Sequence, residues 1–222
     1  MKTAAKTIAD FLCQLVVLPL LLAYYLMRLF SNEDSLLLGF SQLLSLVPGL
    51  TGCLVRSAFY RWVLEEFHPT ARVEFGALFS KQGARIGSHV YVGPYCSLGL
   101  VTLEADCLLG SHVQIPSGAR THGIGSLEIP IRNQPGVVQR VTVGRDSWIG
   151  NNSVVLADLA EQTVLGAGSV VTRALPARVI AAGNPTKVIR DRDSGTQDLE
   201  QEILGADDVF RVAFDAQKAD AR

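Results

Sequence analysis

Between Val73 and Pro185 an aliphatic residue recurs at every sixth position, with a small residue four places after it. The run 143–154 shows the pattern: Val143-Gly144, Ser147-Trp148, then Ile149-Gly150 and Ser153-Val154. The same phase holds at Ile86-Gly87, Val92-Gly93, Leu109-Gly110 and Leu165-Gly166. A period of six fits neither the turn of a helix nor the alternation of a strand, and repetition at a fixed period marks stacked repeats. Three short strands joined by tight turns make one triangular coil, so each hexapeptide lays down one side. The first position points inward and stacks on its equivalents in neighbouring coils. The fifth position (Ala77, Val90, Cys96, Cys107, Val113, Ala119, Ser147, Ser153, Thr163, Ser169) lies inside near a corner and stays small. Glycine at the second position (87, 93, 99, 110, 144, 150, 166) suits a backbone that passes close to another or takes unusual dihedrals. About fifteen such units predict about five coils of a mainly β fold. No coil buries its core alone, so both ends of the stack need caps.

Three regions follow. Residues 1–67 are mostly apolar, 68–190 carry the repeat with an interruption at 120–142, and 191–222 are polar and charged. Phe11 to Met27 carries no charge; a second uncharged stretch, Ser35 to Val55, is broken by Pro48-Gly49. Three readings fit this front: a cleaved signal peptide, a buried helical cap on the first coil, or a membrane hairpin. Segment length favours membrane attachment. In a hairpin Lys2, Lys6, Arg56 and Arg61 share one side and Glu33 and Asp34 the other, which puts the repeats on the cytoplasmic face of the inner membrane. Arg56–Phe67 reads as an amphipathic linker helix, at the membrane surface or over the first coil. The tail after Asp191 forms one short helix near Leu199–Phe214 or stays disordered.

Charge and cysteine content narrow the function classes. The net charge of −1 offers no basic surplus for nucleic acid. The four cysteines show no metal-ligand spacing: Cys13 and Cys53 sit in apolar segments, Cys96 and Cys107 at inward positions, as reduced core thiols do. His89 and His112 occupy outward positions, and no close histidine pair predicts a metal site.

The interruption carries the candidate chemistry. After Ile115-Pro116-Ser117-Gly118-Ala119 the phase is lost until Val143, and the interruption that follows from Arg120 carries His122 near its start. A long insertion in a compact repeat is commonly functional, and histidine is the side chain suited to act as a base near neutral pH. Glu128 in the same segment is a possible orienting carboxylate.

Ser117-Gly118, His122, the excursion, then Trp148-Ile149-Gly150, Gly166-Ala167-Gly168-Ser169 and Gly183-Asn184-Pro185 together resemble the hexapeptide-repeat acyltransferases. In that family the coils form a left-handed parallel β-helix, and the group includes maltose/galactoside, serine, xenobiotic and polysaccharide O-acetyltransferases. The resemblance covers residues 73–190; the apolar front is similar to a membrane-associated branch. It implies acetyl-CoA as co-substrate with no metal, and His122 as general base toward a hydroxyl of a sugar or envelope precursor. It further implies coenzyme contacts at Ala167, Gly168, Gly183, Asn184 and Pro185, with Lys187 and Arg190 near the phosphates. Trp148 would wall the acceptor pocket. Such enzymes are homotrimers with each site between two subunits. Two alternatives stay open: an inactive β-helix scaffold, or a serine- or antibiotic-type acetyltransferase with a soluble acceptor.

Overall fold

A computed structural model of the chain describes residues 2–195, with side chains described over 12–194. Three helices precede the coils: α1 (Lys2–Arg28), α2 (Glu33–Ser45) and α3 (Gly49–Val63). Asn32 starts α2 by accepting hydrogen bonds from the Asp34 and Ser35 amides, while Pro48-Gly49 separates α2 from α3. The linker helix expected to reach Phe67 therefore stops at Val63, and Glu66–Phe67 is already strand.

The first coil comprises β1 (Glu66–Phe67), β2 (Arg72–Val73) and β3 (Leu78–Phe79). The second has β4 (Arg85–Ile86), β5 (Tyr91–Val92) and β6 (Ser97–Leu98). The third has β7 (Val101–Leu103), β8 (Leu108–Leu109) and β9 (Gln114–Ile115); the fourth has β10 (Val141–Val143), β11 (Trp148–Ile149) and β12 (Val154–Val155). The fifth contributes β13 (Val164–Leu165) and β14 (Val170–Val171), its first side reduced to a bridge at Leu159. A sixth, partial coil has a bridge at Leu175 and β15 (Val179–Ala182), and β16 (Lys187–Asp191) closes the end antiparallel to β15. Each coil pairs in parallel with the next, giving sheets ordered β1-β4-β7-β10, β2-β5-β8-β11-β13-β15-β16 and β3-β6-β9-β12-β14. This is a parallel β-solenoid of about six turns, one more than the spacing gave.

The extra turn was hidden at one corner. Two corners per coil keep the six-residue step, as in Phe67 to Val73 to Phe79 and Val143 to Ile149 to Val155. The third varies: seven residues from Phe79 to Ile86, five from Leu98 to Leu103, four from Val155 to Leu159 and from Val171 to Leu175. The 120–142 insertion opens at this permissive corner. At the two regular corners the fourth residue takes a left-handed conformation, as in Tyr95, Asp106 and His112. The second-position glycines serve close approach instead: a Cβ on Gly93 would lie 2.5 Å from the Gly110 oxygen, on the coil above.

Val73, Phe79, Ile86, Leu109, Ile149 and Val171 are fully buried, as are the small fifth-position residues Cys96, Cys107, Ser153 and Ser169. Burial pushes the Cys96 thiol up to about 11 and that of Cys107 up to about 12, so both stay protonated. Ala119 departs from the expected set; it is exposed, because the coil has already opened after Ile115.

A solenoid's first coil presents unpaired backbone groups. Here α2 and α3 pair them. The Ser45 carbonyl accepts from Gly76 N–H, Ser41 Oγ accepts from Phe79 N–H at 2.9 Å, and Ser57 Oγ donates to the Ala71 carbonyl. Arg56, wholly buried, donates to the carbonyls of Val73, Leu44 and Val47 at 3.1, 3.0 and 2.7 Å. Beneath them Tyr24, Phe40, Phe59, Tyr60 and Phe79 form one aromatic cluster. The second uncharged stretch is thus a cap, and among the described residues no helix is long and apolar enough to cross a membrane. The expected helix near Leu199–Phe214 lies outside the described residues.

Candidate active site

The excursion leaves the third coil after Ile115 and returns at Val141. Its two ends are pinned together and to the solenoid. The Ser117 hydroxyl accepts from Leu100 N–H and the Ser117 carbonyl from Gln139 N–H, while Val137 N–H bonds the Arg120 carbonyl at 2.7 Å. Arg140 reaches back to the Gly83 carbonyl and to Glu65, which also pairs with Arg85. Those two guanidinium groups hold the Glu65 carboxyl below its usual range, Arg85 contributing most.

Inside the excursion, Gln134 is buried and satisfies three backbone groups. Its amide donates to the Ser126 and Ile129 carbonyls at 2.8 and 2.7 Å and accepts from Ser126 N–H at 3.0 Å. The following Pro135-Gly136 lies directly behind Thr121-His122. A Cβ on Gly136 would strike the Thr121 carbonyl and come within 2.6 Å of the His122 nitrogen; one on Gly123 would come within 2.6 Å of the Pro135 oxygen. The backbone at His122 is therefore braced by the returning segment, with its imidazole exposed. Glu128 is exposed as well.

Beside this loop runs an open groove of about 460 Å³ along the five-stranded sheet. Ser80, Ser97 and Gln114 line it from successive rungs, Ser117 and Thr121 from the root of the loop, and Val154 from one rung further on. The lining combines hydroxyl and amide groups with a larger share of apolar surface and bears no charge.

A second assembly occupies the corner between the seven- and five-stranded sheets at the far end of the solenoid. Ala167, Gly168, Gly183, Asn184 and Pro185 gather there. Gly150 passes so close that a Cβ on it would sit 2.5 Å from the Ala167 nitrogen, and Gly168, in a left-handed conformation, faces open space. The Gly183 carbonyl accepts from Val170 N–H, and the Asn184–Pro185 peptide is cis. Exposed Lys187 and half-buried Arg190 follow on β16.

Trp148 stands apart from His122. It projects from the seven-stranded sheet, half exposed, between Leu108 and Val164. His122 springs from the corner beyond the five-stranded one. One chain therefore does not bring these two residues together. Sequence reasoning also passed over Gln134, whose partners are all backbone groups, and Asn151, whose side chain accepts from Ser111 N–H at 2.8 Å on the coil before. Among the described residues no three acidic, histidine or cysteine side chains cluster as metal ligands.

No family model matches the chain. A Saccharomyces cerevisiae protein assigned as an acetyltransferase is 35% identical over 120 residues, covering 50% of this chain and 61% of that protein. Galactoside O-acetyltransferase of Escherichia coli K12 is 43% identical over 58 residues, 24% of this chain and 29% of the enzyme. The similarity is to acetyltransferases. The chain spans less than two thirds of the length of these acetyltransferase relatives. The crystal structure of a maltose O-acetyltransferase from Clostridium difficile 630 superposes with a TM-score of 0.61 at 19% identity, over 72% of this chain and 89% of the acetyltransferase. At that identity the likeness is one of fold.

Proposed function

We propose that this chain is an acetyl-CoA-dependent O-acetyltransferase acting on a hydroxyl of a neutral sugar or a sugar-bearing envelope precursor. One observation carries the reading: a braced loop presents an exposed histidine next to Thr121, which lines an uncharged groove bearing hydroxyl and amide groups, on a solenoid like that of a maltose O-acetyltransferase. A neutral polyol suits such a lining, because hydroxyl and amide groups exchange hydrogen bonds with it at no cost of burying charge.

In the reaction the imidazole of His122 takes the proton of the acceptor hydroxyl as its oxygen attacks the thioester carbonyl. The tetrahedral intermediate then collapses, the carbon–sulfur bond breaks, and the imidazolium returns the proton to the leaving thiolate. The products are an O-acetyl ester and free coenzyme A. Backbone N–H groups near the coil corner supply donors to the oxyanion. The small-residue corner at Ala167, Gly168, Gly183, Asn184 and Pro185 leaves room for the pantetheine arm against backbone, and Lys187 and Arg190 supply cations for the phosphates. No metal takes part.

The working unit is a homotrimer at the cytoplasmic face of the inner membrane. The seven-stranded face supports self-association, since Tyr91, Leu108, Trp148, Val164 and Ile180 form a continuous, largely apolar column on it. In such an assembly Trp148 of one copy walls the groove beside His122 of the next.

Purified protein with acetyl-CoA and a panel of neutral mono- and oligosaccharides tests the proposal. Thiol release that rises with acceptor and yields an acetylated sugar is expected; release at the hydrolytic background with every acceptor contradicts it. Gln134→Leu frees the fold-back of residues 126–134 that sets the Pro135-Gly136 brace behind His122, without touching the coenzyme corner. It is expected to lower kcat at least about tenfold, as misplacement of a catalytic group does, while the KM for acetyl-CoA stays within about twofold.

A further inference from the structure

The groove at the root of the excursion is longer than a single sugar ring requires, and its long direction is the solenoid axis. Ser97, Gln114 and Val154 stand in register on β6, β9 and β12, so their side chains form one column across three rungs. Ser80 extends the lining to the first coil, and Val154 takes it to the fourth. Strands paired in parallel lie about 4.8 Å apart, so the three steps from first to fourth coil span about 14 Å. Gly99 and Pro116 lie between that column and the loop root at Ser117 and Thr121. Gly99 keeps the floor low, because a Cβ there would lie 2.6 Å from the Ser117 hydroxyl.

The fold leaves the polar groups of this lining unequally engaged. Ser80 and Ser117 bond backbone groups of neighbouring coils. Among the described residues, the Ser97 hydroxyl, the Gln114 amide and the Thr121 hydroxyl make no hydrogen bond within the chain, although all three residues are half-buried. Gln134 and Asn151, by contrast, have their amides tied to backbone. Half-buried polar groups without a partner in the chain find one in water or in a ligand. Pro116 and Val154 add apolar surface between them. A sugar ring has the matching character, with hydroxyls at its rim and C–H groups on its faces. Successive rings of a linear glycan advance by about one rung each, and a lining without charge suits a neutral one.

We infer that the acceptor is a linear, neutral glycan of two to three sugar residues lying along the solenoid axis. Its reacting end sits at Thr121, the neighbour of His122, and its other end points toward the first coil and the helical cap. The inference rests on the reading of this groove as the acceptor site, and adds the length and direction of the acceptor. Ser97 is then a specificity-determining residue, one rung behind Gln114, where only the sugar residues behind the reacting one reach it.

Calorimetric titration of the full chain with glucose, maltose and maltotriose, and with cellobiose and cellotriose for the other linkage, tests this without calling on acetyl transfer. Affinity in one of the two series should rise at least about tenfold from monosaccharide to trisaccharide, and saturating coenzyme A should leave it in place. Ser97→Ala should cut that gain about three- to tenfold, as the loss of one hydrogen bond does, with an unchanged melting temperature. Ser97→Tyr sets a ring across the groove at the second coil, in a strand position that aromatics suit, and should abolish the gain. Equal affinity for mono- and trisaccharides in both series overturns the inference, as does binding of none of the five sugars. A gain that persists in folded Ser97→Tyr overturns it too. Displacement of the trisaccharide by coenzyme A assigns the groove to the coenzyme's arm and likewise overturns it. Length-dependent binding without acetyl transfer overturns the transferase reading alone, and transfer that ignores acceptor length overturns this inference alone.

Discussion

Replacing His122 by alanine is expected to lower kcat by about 10²–10⁴-fold, the range that a positioned acid–base group supplies. The melting temperature should not move, because the imidazole is exposed on an excursion braced through Gln134 and Gly136 backbone contacts, not through the His122 side chain. Affinity for coenzyme A should also hold, since the small-residue corner at Gly168 and Gly183 belongs to a different corner of the solenoid. Steady-state thiol release, thermal melts and calorimetric titration with coenzyme A together separate these outcomes. A loss of coenzyme affinity matching the loss of kcat would mean that His122 binds rather than catalyses.

Arg56→Ala should produce the largest loss of stability in the chain, about 3–5 kcal/mol, because three buried carbonyls lose their charged donor at once. The guanidinium is fully buried and bonds three carbonyls, of Leu44 in the last turn of α2, of Val47 just beyond it and of Val73 in the first coil. Removing it leaves those acceptors unpaired and opens a cavity under the cap. The carbonyls of Leu44 and Val47 lie at the C-terminal end of α2, where the helix dipole favours a cation. Gly52 makes room for this arrangement, since a Cβ there would sit 2.9 Å from Arg56 Nη1. Arg56→Lys should recover only part of the loss, because an ammonium cannot reach carbonyls on both sides of the fork. Urea titration followed by circular dichroism measures both variants.

The inward positions of the coils were legible because the interior of a triangular coil admits one aliphatic and one small side chain per side. Val92 with Cys96 and Ile149 with Ser153 obey that constraint without help from tertiary context. The coil count was less legible. The third corner carries no left-handed residue at a fixed place, and steps such as Val155 to Leu159 break the period without ending the fold. The front was ambiguous for a physical reason: apolar residues that cover a coil and apolar residues that meet lipid look alike in sequence. Arg56 is the instructive case. In the sequence it marks the end of an uncharged stretch; among the described residues it is the largest fully buried side chain, with its oxygen partners supplied by backbone. His122 announced itself by breaking the repeat. Gln134 could not, since its role depends on how residues 126–136 fold back on themselves.

The central claim is that a histidine on the excursion activates a hydroxyl against acetyl-CoA. Acceptor-dependent release of coenzyme A, followed side by side for the unaltered protein and His122→Ala with neutral sugars as acceptors, tests it most directly. Release by the unaltered protein should saturate with acceptor and fall at least about 10²-fold in the variant. Equal release by both proteins, or release that ignores the acceptor, would contradict it.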